Sequence, residues 1–183
     1  MDVFVARQPI FDRHMNVWAY ELLYRRSMNN FFEGIDDNQA TAALIDNAFL
    51  VMQFDALTGG TKAFINFSEE LLTKRIPFLL PKEGIVIEIL ERVEVTESLI
   101  KVCKELKKEG YTIALDDFIF SEKYLPLIEI ADIIKVEFPV VPYEKQLQLL
   151  RKYKQRVKFL AEKIETRKEY QMALDMGYEY FQG

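Results

Sequence analysis

Short apolar runs alternate with segments of helical periodicity over most of this 183-residue sequence. Residues 84–90 form a nearly continuous apolar run, which is typical of a strand covered on both faces. The next segment places apolar residues at helical spacing between Thr96, a helix-capping residue, and Gly110, a helix-stopping residue. Strands that alternate with helices in this way form parallel sheets with right-handed crossovers. The sequence therefore predicts an α/β fold.

The number of extended segments distinguishes between two parallel α/β architectures. Eight segments are predicted, the first two as a hairpin: residues 3–10, 17–24, 62–67, 84–90, 111–115, 132–136, 157–161 and 178–181. Helices are predicted at about residues 38–54, after Ser68, and at 96–110, 143–153 and 166–177. A doubly wound sheet and a TIM barrel both fit, but no glycine-rich phosphate loop follows a strand, and eight strands close a barrel. We therefore expect one domain over residues 1–183, a TIM-type βα barrel with an irregular N-terminal strand hairpin and an incomplete last strand and helix.

Composition excludes several kinds of chemistry. A single cysteine, Cys103, and a single histidine, His14, rule out an internal disulfide and cysteine-based or histidine-rich metal sites, and they disfavour Ser-His-Asp catalysis. Cys103 falls on the apolar face of its predicted helix, so we expect a core residue. The net charge of −5 disfavours binding to a long nucleic acid. No apolar run is long enough to cross a bilayer and no signal peptide opens the chain, so we expect a cytoplasmic protein.

Polar residues stand near the carboxyl end of each predicted strand after the first. They are Glu21, Asn66, Glu88, Asp116 with Asp117, Lys135, Glu162 and Gln182. In a barrel these strand ends share one face, where the active sites of such enzymes lie. Oxygen ligands without imidazole or thiolate suit Mg²⁺ or Mn²⁺. The two adjacent aspartates could share two ions, and Lys135 could position or activate an attacking water.

Each of these residues also has a purely structural interpretation. Glu88 could form a buried ion pair, and Asp116-Asp117 could cap a helix or form a turn. Glu162 could pair with Lys163 in solvent. Their shared position, one per strand end, is what favours a metal site. From spacing alone, two reactions fit such a site: a two-ion displacement at a phosphodiester and a magnesium-assisted proton abstraction of the enolase type.

Seven short motifs follow one another in the order of a known family. They are ELLYR at 21–25, FINFS at 64–68, IEILE at 87–91, ALDDF at 114–118, IKVE at 134–137, AEKIET at 161–166 and FQG at 181–183. These motifs resemble those of the EAL domains of bacterial cyclic-di-GMP signalling, over nearly the whole chain. The resemblance favours a phosphodiesterase over the enolase-like alternative.

The resemblance implies a metal-dependent phosphodiesterase that hydrolyses cyclic di-GMP to the linear dinucleotide with Mg²⁺ or Mn²⁺. The metal ligands that it implies are Glu21, Asn66, Glu88, Asp116 and Asp117. It also implies catalytic roles near the attacking water for Lys135 and Glu162, together with Glu21. Substrate contacts are implied for Arg25 and Gln182.

Two stretches depart from the family's pattern. After Phe118 the family continues with Gly-Thr-Gly, whereas Ile119 and Phe120 follow here and lack the conformational freedom of glycine. Residues 37–42 replace the expected substrate motif and, with residues 6–11, resemble the subgroup whose EAL domain precedes an HDOD domain. These departures favour a weakly active or non-catalytic regulatory module over the alternative of an active phosphodiesterase.

The expected partners follow from this interpretation. They are cyclic di-GMP, other proteins or a C-terminal HDOD domain, and a second copy of the chain in a homodimer. The apolar residues 118–120 are either a contact for such a partner or a loop buried under the neighbouring helix.

Overall fold

The computed structural model describes residues 4–25, 54–117 and 121–183. The strands are β1 (Phe4–Asp12), β2 (Val17–Arg25), β3 (Lys62–Phe67), β4 (Ile85–Ile89), β5 (Thr112–Leu115), β6 (Ile133–Glu137), β7 (Lys158–Glu162) and β8 (Tyr180–Phe181). All eight lie where the sequence predicts them, with small shifts at their ends. The helix predicted over residues 38–54 lies outside the described residues except at its end, and the apolar residues 118–120 lie outside them entirely.

The eight strands form a closed barrel in sequence order. Strands β2 to β8 run parallel to one another, whereas β1 is antiparallel to both β2 and β8. β8 has only two residues, yet it pairs with β1 through Phe181 opposite Phe11 and Tyr180 opposite Asp12. The TIM-type barrel with an irregular N-terminal hairpin is therefore confirmed. The doubly wound sheet is excluded, because the last strand pairs with the first.

Helices on the outside of the barrel connect the parallel strands. They are α1 (Phe54–Thr58), α2 (Glu69–Thr73), α3 (Glu97–Glu109), α4 (Leu125–Ile128), α5 (Tyr143–Tyr153) and α6 (Arg167–Met176), with 3₁₀ turns at Ile76–Leu79 and Glu122–Tyr124. Thr96 caps α3, and Thr166 forms a capping box with Glu169 at the start of α6, as predicted. The turn at α4 was not expected, because four residues are too few to show helical periodicity. Among the described helices, none combines the length and the apolar character needed to cross a lipid bilayer.

Two apolar layers hold the barrel together, one on each side of the sheet. The inner layer fills the barrel with Ile10, Ala19, Phe64, Val86, Ala114, Ile133, Leu160 and Tyr180. Trp18 packs against this layer, stacked on the ring of Tyr180 with the ring centroids 4.0 Å apart. The outer layer packs the opposite faces of the strands against the helices and includes Cys103 of α3. Burial raises the pKa of Cys103 to about 12, so the thiol is a core group, as expected.

The inner layer predicts a large stability cost for a truncation beneath the polar strand ends. Leu160 of β7 is fully buried, so Leu160→Ala should lower the free energy of unfolding by about 2–5 kcal/mol, through lost burial and the cavity left behind. Leu79→Ala is the matched control, because Leu79 is 73% exposed and its truncation should change stability by less than about 0.5 kcal/mol. Urea unfolding followed by circular dichroism measures both variants. Equal effects would contradict a tightly packed inner layer.

Candidate functional site

A two-residue step along the strands places the predicted polar residues inside the barrel, next to the inner apolar layer. Successive side chains of a strand point to opposite faces, so residues two apart share a face. On seven strands an inner-layer residue is followed two positions later by a polar one: Ala19 by Glu21, Phe64 by Asn66, Val86 by Glu88, Ala114 by Asp116, Ile133 by Lys135, Leu160 by Glu162 and Tyr180 by Gln182. The mouth of the barrel at the carboxyl ends of the parallel strands is therefore lined by this polar layer.

Lys135 stands at the centre of the polar layer. Its side chain is 1% exposed, and its Nζ lies 2.8 Å from Asp116 Oδ1 and 2.9 Å from Glu162 Oε1. The same Nζ contacts Glu88 Oε1 and lies 3.5 Å from Glu21 Oε2. One buried ammonium group therefore holds four carboxylates that come from four different strands or their ends.

Three further residues were predicted for the site: Gln182, Asn66 and Arg25. Gln182 donates a hydrogen bond from Nε2 to Glu21 Oε2 at 2.6 Å, which ties the end of β8 to β2. Asn66 lies opposite Glu88 in the register of β3 and β4. Arg25 ends β2, but its side chain lies outside the described part of the structure.

Asp117 extends the acidic cluster beyond the four carboxylates that contact Lys135 directly. It follows Asp116 with a φ of +41°. Carboxylate oxygens of Asp116, Asp117 and Glu162 lie within 4.8 Å of one another. Partial burial raises the pKa of Asp117, and the neighbouring charges of Asp116 and Glu137 add to the rise. These three carboxylates form a group whose mutual repulsion a bound cation would relieve.

Burial and mutual charge set the protonation of the cluster. Burial alone would lower the pKa of Lys135, but the four carboxylates outweigh it and hold that pKa well above its ordinary value. Burial raises the pKa of Glu88 well above its ordinary value; Lys135 opposes the rise and neighbouring carboxylates add to it. Burial also raises the pKa of Glu162 to about 7, against the attraction of Lys135. The lysine therefore stays charged, while Glu88 and Glu162 hold their protons to a higher pH than an ordinary glutamate does.

The donor set fits a hard divalent cation. Its members are carboxylate and amide oxygens, which are the ligands that such cations take in proteins. Glu88 Oε2 and Glu162 Oε2 are buried without a hydrogen-bond partner among the described residues. Buried polar atoms are normally paired, so these two oxygens indicate a ligand at the site.

The purely structural interpretations of Glu88 and Glu162 explain only part of this geometry. Glu88 does form a buried ion pair, but its partner is the lysine that three other carboxylates share. Glu162 also contacts Lys135, while Lys163 pairs with Glu137. The interpretation of Glu162 and Lys163 as a solvated pair is therefore wrong.

Two features of the site were not predicted from the sequence. Gln8 lies opposite Glu21 in the register of β1 and β2, two residues before Ile10 of the inner layer. Because β1 runs antiparallel, the polar residue precedes its apolar neighbour, and this reversed order concealed it. The salt bridge between Glu137 and Lys163, at the ends of β6 and β7, is the second feature. Glu137 and Lys163 each lie in a motif that the sequence shows, but no rule of sequence spacing predicts that they pair.

The chain is similar to two curated bacterial proteins over essentially its whole length. It is 46% identical over 189 residues to the uncharacterized protein YuxH of Bacillus subtilis, which covers 100% of this chain and 46% of that protein. It is 37% identical over 187 residues to the cyclic di-GMP phosphodiesterase CdgJ of Vibrio cholerae, which covers 98% of this chain and 43% of that protein. The chain thus spans less than half the length of these relatives. No protein-family model matches it.

A solved structure shares the fold. YkuI of Bacillus subtilis, a protein with an EAL domain in complex with cyclic di-GMP and calcium, matches with a TM-score of 0.71 and 23% identity, over 100% of this chain and 54% of that chain. The closed barrel and the lysine among carboxylates at its mouth define a class, the βα barrels with an acidic centre at the carboxyl ends of their strands. Together with its motifs and relatives, these features show that the chain belongs to the EAL-domain family.

Replacing the central lysine should cost far more stability than replacing an exposed one. Lys135→Met leaves four carboxylates without their cation, and we expect a loss of about 3–5 kcal/mol in the free energy of unfolding at neutral pH. Lys104→Met, on the exposed face of α3, should change it by less than about 0.5 kcal/mol. Adding Glu88→Gln to Lys135→Met should recover part of the loss, because a buried carboxyl group that has lost its ion-pair partner is replaced by a neutral amide. Urea unfolding measures all three variants. If the double variant recovers none of the lost stability, the loss comes from packing and not from charge.

The raised pKa of Glu162 predicts how the stability of the metal-free protein depends on pH. Between the ordinary pKa of a glutamate and about 7, the folded protein holds a proton on Glu162 that the unfolded chain has released. Raising the pH through this window therefore removes stability, by roughly 3 kcal/mol at most. Glu162→Gln carries no such proton, so its stability relative to the wild type should rise between about pH 5 and pH 8.

Urea unfolding in the presence of EDTA measures this difference at each pH. Glu129→Gln, at an exposed glutamate outside the cluster, is the control and should show a constant difference from the wild type. A constant difference for Glu162→Gln as well would contradict the raised pKa.

Proposed function

We propose that this chain hydrolyses cyclic di-GMP to the linear dinucleotide pGpG with Mg²⁺ or Mn²⁺. The observation that carries the proposal is the buried cluster around Lys135, which gathers carboxylates from four strands at the mouth of the barrel. The sequence similarity to a cyclic di-GMP phosphodiesterase supports it, as does the likeness to an EAL protein in complex with cyclic di-GMP and calcium.

The metal ions would be held by oxygen ligands of the polar layer and the residue beside it. These ligands are Glu21, Asn66, Glu88, Asp116 and Asp117. Bound ions would neutralise the negative charge that builds up on the phosphodiester during hydrolysis.

Glu162 and Lys135 are suited to the proton chemistry. The pKa of Glu162 is about 7, and a carboxylate in this range can both accept a proton from water and release it near neutral pH. Lys135 donates to Glu162 at 2.9 Å, which fixes the direction of that carboxylate. A buried ammonium group also stabilises negative charge on a phosphoryl oxygen. We therefore assign the role of general base to Glu162, with Lys135 as its charged partner.

Charge at the mouth makes substrate binding depend on metal. The polar layer and Asp117 contain five carboxylates, whereas Lys135 is the only cation in direct contact with them among the described residues. A dinucleotide with two phosphodiester charges is repelled until cations reverse part of this field. Gln182, which orients Glu21, and Gln8 then offer neutral hydrogen-bonding groups, and Arg25 at the end of β2 would supply a positive charge.

A second candidate function is a regulatory EAL module that binds without turnover. It is favoured by the sequence after Phe118, where Ile119, Phe120 and Ser121 stand in place of the family's Gly-Thr-Gly. Such a module would keep its acidic cluster for binding metal or nucleotide. It would act in the cytoplasm on protein partners, on an HDOD domain of a longer protein, or on a second copy of itself.

An assay with Mn²⁺ and cyclic di-GMP distinguishes the two candidates. We expect the purified protein to form pGpG, and we expect Asp116→Asn to reduce the rate by roughly 100-fold or more, because it removes a charged metal ligand. Separation of the nucleotides by ion-exchange chromatography measures the rate.

The matched control is Asp175→Asn, which removes the same charge from the exposed face of α6 and leaves the side-chain oxygen that accepts from Gln171. Its rate should equal that of the wild type. Calorimetric binding of cyclic di-GMP without hydrolysis would favour the regulatory module. If the protein neither binds nor hydrolyses cyclic di-GMP in the presence of Mn²⁺, the phosphodiesterase is contradicted.

A further inference from the structure

Lys163 has an unusual backbone conformation directly after a residue of the site. It follows Glu162 at the end of β7 with a φ of +57°. Glycine and asparagine adopt this left-handed region readily, whereas for lysine it is uncommon. Backbone strain of this kind persists where the surrounding structure holds the residue in place. Here the ammonium group is held, because it pairs with Glu137 Oε1 at the end of β6.

The charge of Lys163 acts on the acidic cluster from the rim of the barrel. Glu137 lies opposite Glu162 in the register of β6 and β7, so its ion pair with Lys163 is adjacent to the site. The hydrogen bond to Glu137 raises the pKa of Lys163, and the charges of Asp117 and Glu162 add to the rise. Lys163 in turn opposes the rise in the pKa of Asp117 more strongly than Lys135 does.

The two lysines therefore serve different parts of the acidic centre. Lys135 is buried and contacts four carboxylates directly. Lys163 is 57% exposed and acts through space on Asp117 and Glu162, two of the three residues whose oxygens are close enough to share one ion. An ammonium group at this position repels a divalent cation that binds the same carboxylates.

We propose that Lys163 is a built-in counter-ion for the Asp117 side of the centre, which weakens the binding of a divalent ion to Asp116 and Asp117, beside Glu162, and makes that ion exchangeable. This inference rests on the proposed metal-dependent function, and it concerns the strength of metal binding. Because Lys163 is exposed and anchored through one carboxylate, it competes with the ion without excluding it. Occupancy of this position then follows the concentration of free divalent cation.

Calorimetric titration with Mn²⁺ tests the proposal independently of turnover. Lys163→Asn removes the charge, and asparagine tolerates the left-handed backbone. Mn²⁺ should bind this variant about five- to tenfold more tightly than the wild type, the size expected when an exposed unit charge no longer repels a divalent ion. Lys163→Gly, which also fits this backbone, should show the same gain. Lys163→Arg keeps the charge and should bind Mn²⁺ as the wild type does.

Lys168→Asn is the matched control, because it removes an exposed lysine charge from the first turn of α6. Its affinity for Mn²⁺ should stay within about twofold of the wild type, since an exposed charge outside the cluster is screened by solvent. Equal affinities in Lys163→Asn, Lys163→Gly and the wild type would overturn the proposal and leave the metal-dependent function standing. No Mn²⁺ binding by any of these proteins would overturn both.

Discussion

The buried ammonium group of Lys135 is the interaction on which the rest of the site depends. Four carboxylates meet inside the barrel, where water screens their repulsion poorly, and such an assembly without a cation would cost several kcal/mol. Lys135 offsets this cost from within the chain. The acidic centre can therefore form as the protein folds, before any ion binds. Binding of the proposed metal ions would then require a redistribution of charge and protons, because the acidic cluster is already assembled.

Placement of the polar groups derives from apolar packing that takes no part in the chemistry. On each parallel strand the residue of the inner layer fixes the register, because a slip of one position would turn it out of the barrel. The polar residue two positions later is carried into place with it, as Glu162 is by Leu160. The same alternation sends the intervening residues to the outer layer beneath the helices. One packing pattern thus stabilises the barrel and aims its functional groups.

Features set by a few neighbouring residues could be predicted from the sequence, whereas those set by closure of the barrel could not. Strand positions, helix caps and the ring of strand-end residues all follow from local periodicity. Which carboxylates contact Lys135 depends on the stagger of the strands, which no single segment encodes. Gln8 was missed because β1 runs against the other strands. The pairing of Lys163 with Glu137 depends on a positive φ, which a lysine in a sequence does not indicate.

Closure of the barrel also orders events in time. The hydrogen bond between Gln182 and Glu21 joins residues that are 161 positions apart, and β8 pairs with β1 through both of its residues, Tyr180 and Phe181. A chain emerging from the ribosome carries nearly all of its carboxylates long before the ring can close around them. Until residues 180–182 have been made, the barrel around those carboxylates stays open between β7 and β1. The selective ion binding proposed above would therefore begin only after β8 has been synthesised and has paired with β1.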